Sequence, residues 1–295
     1  DKPWWLLWLF IGGIFLITVT TSWFLFDGDV SYQRLTSKGF DESPSSFTFL
    51  QVAAPLFLLI LTRLRMPVST TFLLLSSFAT SASSITGLLG KSLSGYFLAF
   101  GAGLIVWLLV TKTFEKRFSE TKASKFWTPI QWLTSGSLWA VWVMQDAANV
   151  AVYLPRSLNV LQFVGFAGFI FIGLGILFYL RGDKIQQIVT EKSRVTDIRS
   201  ATIIDFIYAL LLTYKLTVST VPMSTTWVFL GLLAGREIGM SLTGKGILLG
   251  MPITKVLKMV FKDLSYALFG LLVSILLAIS INEDVRRELL GFIGF

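Results

Sequence analysis

The sequence predicts an all-α polytopic membrane protein: two inverted repeats whose helices break or turn back as hairpins at mid-membrane. Three observations predict it. The chain is 54% hydrophobic and 14% charged, with a mean hydropathy of +0.73, whereas an ordinary soluble domain carries about 25% charged residues. Apolar runs long enough to cross a bilayer recur along its 295 residues. One short string, P-x-S-T-T, occurs twice, as Pro67-Val68-Ser69-Thr70-Thr71 and Pro222-Met223-Ser224-Thr225-Thr226, offset by 155 positions. Proline removes a backbone donor and interrupts the preceding helix. In hydrocarbon the freed backbone groups must be satisfied by protein or trapped water, and interrupted helices near the midplane are a feature of repeat-built transporters.

Taken in order, residues 4–26 form a first apolar span bracketed by Trp4, Trp5, Trp8 and Trp23, residues suited to the membrane interface. Residues 27–46 are a polar loop carrying Asp27, Asp29, Asp41 and Glu42. A second span, 47–62, ends at Arg63 and Arg65, and the first P-x-S-T-T follows. The small residues between Ser76 and Ser84 allow close approach of another backbone. Residues 93–109 are the next span, and the basic loop 111–125 follows. The span beginning at 126 runs into Gln145-Asp146-Ala147-Ala148-Asn149. A charged residue in a membrane segment is costly and marks function by default, and a helix places Asp146 and Asn149, three apart, on one face. After Pro155 and Arg156 come a charge-free span at 160–180, a basic loop at 181–199 and a span at 201–217 containing Asp205 and Lys215. The second P-x-S-T-T leads to Arg236-Glu237, then to a basic amphipathic stretch with Lys255, Lys258 and Lys262, expected at the interface, and a last span at 264–281.

The same offset of 155 lays span 4–26 on 159–181 and 45–62 on 200–217, which predicts an internal repeat. If each P-x-S-T-T segment makes a net crossing, the repeats are inverted and the Lys and Arg residues divide 18 to 7 across the membrane; the parallel alternative divides them 14 to 11. The positive-inside rule favours the lopsided division and puts loops 111–125 and 181–199 in the cytoplasm. The expected organisation is a first repeat at 1–110, the cytoplasmic loop 111–125, a second repeat at 126–281 and a surface tail at 282–295. Asp146 precedes Pro222 by 76 residues, and the same count back from Pro67 runs past Asp1. The first-repeat counterpart of 126–149 is therefore expected upstream of Asp1.

With no Cys and no His, thiol nucleophiles and Ser-His-Asp chemistry are excluded. No nucleophile–base pair or metal cluster stands out, so no enzyme and no cofactor are expected. The net charge of +8 lies between apolar spans, which fits lipid headgroups rather than nucleic acid.

The motifs resemble those of the inorganic phosphate transporter family, PiT. That family has two inverted repeats, each with a signature close to G-A-N-D-V-A-N and, further on, P-V-S-T-T-H. Gln145-Asp146-Ala147-Ala148-Asn149 is similar to the N-D-V-A-N core, with Gln for the first Asn; Pro67 to Thr71 matches P-V-S-T-T, and Pro222 to Thr226 matches with Met for Val. The family's His is Phe72 in one copy and Trp227 in the other, and the first half has no N-D-V-A-N. The resemblance implies a cation-coupled phosphate transporter in which Ser69, Thr70, Thr71, Ser224, Thr225 and Thr226 hold the anion. Asp146, Asn149 and Gln145 would hold Na⁺, or H⁺ would be the coupling ion. Asp205 and Arg236 are further candidates for coupling. Sulfate or another oxyanion remains open as substrate, because hydroxyl donors do not separate tetrahedral anions by shape. So does a membrane scaffold that kept the fold without transport. The expected partners are the oxyanion and membrane lipids, with a homodimer as one assembly the reading allows.

Overall fold

The computed structural model describes residues 3–64, 66, 68–113, 121–180, 197–243 and 252–293. The expectations for Pro67 and for the greater part of loops 111–125 and 181–199 lie outside the described residues. Every regular element among those described is a helix: α1 (Trp4–Leu25), α2 (Phe49–Arg63), α3 (Thr70–Ser76), α4 (Ala82–Thr113), α5 (Trp127–Asp146), α6 (Ala148–Ala151), α7 (Val160–Tyr179), α8 (Ile198–Val218), α9 (Thr225–Leu242), α10 (Ile253–Ile281) and α11 (Glu283–Ile293). Five are long and apolar enough to cross a membrane: α1, α4, α7, α8 and α10. Their outward faces carry large apolar side chains, such as Phe169 at 82% and Leu161 at 83% exposure, the pattern of helices solvated by lipid. The chain is a helical integral membrane protein.

Two features differ from the reading of the sequence. The basic stretch with Lys255, Lys258 and Lys262 is continuous with the last span in the single 29-residue helix α10. No proline falls between 253 and 281 to end a turn early, so charge alone does not interrupt the helix. Only the end of the small-residue run, Ala82 to Ser84, joins the following span: α4 begins at Ala82 and continues for 32 residues.

Local sequence explains several helix ends. Thr48 and Gln51 form a reciprocal capping box at the start of α2, as Asn159 and Gln162 do for α7. Gln51 also donates through its amide to the Ser77 carbonyl just past α3 (3.0 Å). Asp197 caps α8 and takes a 2.6 Å bond from Arg199, whose guanidinium also reaches the Thr121 carbonyl. The Arg199 hydrogen bond holds the Asp197 carboxyl below its usual range. That stabilisation is present above the ordinary carboxylate pKa and is lost as pH falls through the lowered value.

α1 and α7 run antiparallel, joined by rings: Trp4 against Tyr179 (5.3 Å between centroids), Trp8 against Phe171 (4.8 Å) and Trp23 against Phe163 (5.0 Å). The indole N–H groups of Trp8 and Trp23 donate to the carbonyls of Phe171 and Leu158, so neither ring buries an unpaired donor. α5 runs parallel to α8, with Gln131 at Thr202, Ser135 at Asp205 and Trp142 at Tyr208.

α4 and α9 run parallel in the closest packing of the bundle. A Cβ on Gly231 would fall 2.3 Å from the Tyr96 carbonyl oxygen, one on Gly235 2.1 Å from that of Phe100, and one on Gly103 2.4 Å from that of Leu232. Only glycine lets the two backbones meet at this distance, as at small-residue interfaces in membranes.

One end of the bundle is closed by the loop between α1 and α2. Asp27, Tyr32 and Gln33 adopt positive φ there, and Asp29 accepts from the backbone N–H of Ser31 and Gln33. Arg156 donates to the carbonyls of Phe40 and Glu42 in this loop and of Leu154 beside it. Arg34 reaches the carbonyls of Leu216, in the last turn of α8, and of Ser219, just past its end. The start of α4 reaches the same end through Ser84, which donates to the Lys38 carbonyl. α11 joins it through Glu288, which accepts from Ala82 N–H.

The α4–α9 contact gives a direct test. Gly235→Ala should destabilise the protein by about 1–3 kcal/mol, the range for overpacking, seen as a lower thermal transition in detergent. Gly165→Ala, with nothing within 4 Å of its Cβ, should leave it unchanged.

Candidate functional site

Ser69 and Ser224 do the same local job. Each is the N-cap of the helix that follows, with nearly the same backbone angles (φ −74°, ψ 114° and φ −72°, ψ 108°). Ser69 Oγ accepts from Phe72 N–H (3.0 Å) and Ser224 Oγ from Trp227 N–H (3.2 Å). A hydroxyl in this place satisfies a backbone donor that the helix itself leaves unpaired. The rings of Phe72 and Trp227 then meet, 5.5 Å between centroids, and both are almost fully buried. The two P-x-S-T-T segments, far apart in sequence, therefore come together in space.

Between them stands Asp146, the last residue of α5. Its Oδ2 accepts from Thr225 Oγ1 (2.8 Å), and its Oδ1 from Thr71 Oγ1 (3.5 Å) and Asn149 Nδ2 (3.3 Å). The helical backbone at Ala147 (φ −57°, ψ −30°) carries the turn from α5 into α6 and brings Asn149 back over Asp146. The two threonines are not equivalent at the 155 offset: Thr71 corresponds to Thr226, and Thr70 to Thr225. One carboxylate thus takes the third hydroxyl of the first motif and the second of the other. Thr70 and Thr226 are half-buried and do not bond Asp146.

The surroundings hold polar atoms that the protein does not satisfy. Gln145 is fully buried, and neither its Oε1 nor its Nε2 has a partner; nor do Asn149 Oδ1, Trp142 Nε1 and Trp227 Nε1. Buried polar groups are nearly always paired, and one left unpaired costs about 1–3 kcal/mol. The Asp146 carboxylate, two threonine oxygens and the Asn149 amide oxygen make a hard oxygen donor set with a single formal charge, whereas Gln145, the neighbour of Asp146 on α5, makes no hydrogen bond to any of them. The chemistry of that set suits a monovalent cation or a proton.

Sequence reading missed Tyr208 and Ser92. Tyr208 OH donates to the Thr225 carbonyl (2.7 Å), and Ser92 Oγ accepts from Ser224 N–H (2.9 Å), so each fixes the second motif from a neighbouring helix. A buried tyrosine needs a partner for its hydroxyl, which was the available signal for Tyr208. For Ser92, one serine among many in an apolar stretch, there was none.

Two candidates stay apart from Asp146. Asp205 accepts from Gln131 Nε2 (2.8 Å) and Ser135 Oγ (2.5 Å) between α5 and α8, and Lys215 bonds Ser94 instead of Asp205. Arg236 pairs with Glu237 at 2.6 Å inside the bundle and lies over the Trp107 ring. Eleven residues along α9 from Thr225, it sits about 16 Å from the motif.

No family model, curated protein or solved structure matches the chain.

The donor set predicts a ligand-dependent stability. Na⁺ at 100 times its dissociation constant should stabilise the protein by about 2.7 kcal/mol, read as a rise in thermal transition over choline at equal ionic strength. Asp146→Asn should fold at least as well as the parent, because it removes a partly desolvated charge, and should lose the Na⁺ response. An Asn variant that responds to Na⁺ like the parent would remove Asp146 from any cation site.

Proposed function

We propose that this chain is a secondary transporter of inorganic phosphate, or of a similar oxyanion such as sulfate, coupled to Na⁺ or H⁺. The observation that carries the reading is the sharing of one half-buried carboxylate by a hydroxyl from each P-x-S-T-T motif.

The coupling follows from charge. An anion approaching the hydroxyls meets the Asp146 carboxylate, and two like charges 4 Å apart repel by about 4 kcal/mol at an effective dielectric of 20. A cation held by Asp146, Asn149 and Gln145, or a proton on Asp146, removes that repulsion. The freed Thr71 and Thr225 hydroxyls, with Thr70 and Thr226 beside them, then turn toward the anion. Each ligand raises the affinity for the other by the same factor, and neither binds well alone. The serines act differently: Ser69 and Ser224 accept from backbone N–H groups, and their hydroxyl protons remain available to an oxyanion.

The finer architecture belongs to the same proposal: two inverted repeats meeting at Asp146. Three observations support it. α1 and α7, which correspond at the 155 offset, pack antiparallel. The two motif serines cap helices with matching backbone. From the shared level of the motifs, α3 runs toward the end that carries loop 26–48, where the Ala79 carbonyl meets Asn282, while α9 runs away from it alongside α4. The loops 111–125 and 181–199 are assigned to the cytoplasm on the charge count alone.

A specific observation favours a second reading. Phe72 and Trp227 fill the space between the motifs with apolar rings, in the positions where the resembled family has histidine. A scaffold that kept the fold without transport would tolerate this filling.

Uptake of radiolabelled phosphate by proteoliposomes decides between them. A transporter should accumulate phosphate or sulfate on an imposed Na⁺ or proton gradient. Asp146→Ala should abolish this uptake, and Thr225→Val should weaken anion binding about two- to tenfold, the value of one hydrogen bond. Absence of gradient-driven uptake of either anion by the parent protein would leave the scaffold reading.

A further inference from the structure

Two basic side chains, Arg34 and Lys91, converge on the short segment that joins α8 to the second motif, and a third, Lys215, bonds α4 one turn from Lys91. Arg34 donates to the carbonyls of Leu216 (3.2 Å) and Ser219 (2.6 Å). Lys91 Nζ donates to the same Ser219 oxygen (2.7 Å) and to the Val221 carbonyl. Lys215, on the last turn of α8, donates to Ser94 Oγ (2.6 Å), one turn along α4 from Lys91. Because Arg34 and Lys91 bond one carbonyl oxygen, their charges are held a few ångströms apart.

No carboxylate of the described residues lies within ion-pair distance of any of the three. Asp29 exerts a favourable field on Arg34, but its oxygens take the Ser31 and Gln33 N–H groups. Basic groups at the end of a helix complement its partial negative charge. That charge is about half an elementary unit, so one cation suffices and three leave a surplus. Donors remain as well: Lys91 and Lys215 each have three N–H bonds, of which two and one are used. Concentrated positive charge with free N–H donors on two half-buried lysines attracts and holds anions. The cluster also adjoins the proposed substrate site, since Val221 precedes Ser224 by three residues and Ser92, next to Lys91, holds Ser224 N–H.

We propose that Arg34, Lys91 and Lys215 form a separate phosphate-class oxyanion site at the end of the bundle that carries loop 26–48. Its ligand chemistry is that of a phosphate group, supplied by free inorganic phosphate on its way to the hydroxyl motifs or by a lipid headgroup. The first source rests on the transport reading above; the second does not.

The test uses the full chain in nanodiscs of phosphatidylcholine, titrated with inorganic phosphate at low ionic strength, and in discs containing phosphatidylglycerol without added phosphate. Lys215→Gln removes one charge without touching a backbone bond, and should weaken phosphate binding about fivefold, an effect that shrinks as salt is added. Lys215→Arg should restore it. Lys91→Gln should act in the same direction, while Lys258→Gln, exposed on the far end of α10, should do nothing. If phosphate affinity is unchanged but stabilisation by phosphatidylglycerol is lost in Lys215→Gln and kept in Lys258→Gln, the site stands with the lipid headgroup as its ligand. If neither response distinguishes Lys215→Gln from Lys258→Gln, the proposal is overturned. Gradient-driven uptake by the parent protein is measured separately, so the transport reading can fail while this site stands, or the reverse.

Discussion

A half-buried carboxylate held by hydroxyls from two remote segments is the constraint on which the rest of the bundle depends. An ionised Asp146 partly removed from water is costly unless hydrogen bonds compensate it. Thr71, Thr225 and Asn149 supply those bonds, and none can do so unless its helix starts where it does. Ser69 sets the start of α3, Ser224 that of α9, and the helical turn at Ala147 returns Asn149. Tyr208 and Ser92 then hold the second motif against displacement. The hydroxyl-rich pentapeptides thus serve twice: the serine begins a helix and a threonine meets the charge.

Much of this was legible in the sequence, for identifiable reasons. Membrane helices announce themselves because no polar backbone survives in hydrocarbon outside a helix or barrel, and α1, α7 and α8 fall close to the spans read from hydropathy. The adjacency of Asp146 and Asn149 follows from helical spacing alone. The meeting of the two motifs was expected from their duplication, and the structure brings Phe72 against Trp227.

What stayed hidden depended on side chains meeting across helices. Nothing in the spacing says that Thr225 rather than Thr226 reaches Asp146, because the register between α5 and α9 is fixed by packing. Lys91 was one basic residue at the start of a span; only the fold sets it beside Arg34 and the end of α8. Arg236 read as a candidate for coupling, and the fold pairs it with Glu237 inside the bundle. The length of α10 was misread because lysines suggest an interface, whereas a helix continues through them and their long stems let the charges reach polar surroundings.

The glycine seam between α4 and α9 has a mechanical consequence. Carbonyl oxygens of one helix sit where the other lacks side chains, at Gly103, Gly231 and Gly235. Such a seam cannot shear by small steps, because any slide drives a side chain into a backbone oxygen. The two helices are therefore one lever. Ser224 and Thr225 are fixed at one point along it, and Thr71 belongs to a different element, α3. The oxygens of Asp146 bridge the lever and its neighbour, so the charge state of a single side chain bears on a joint between two separate elements.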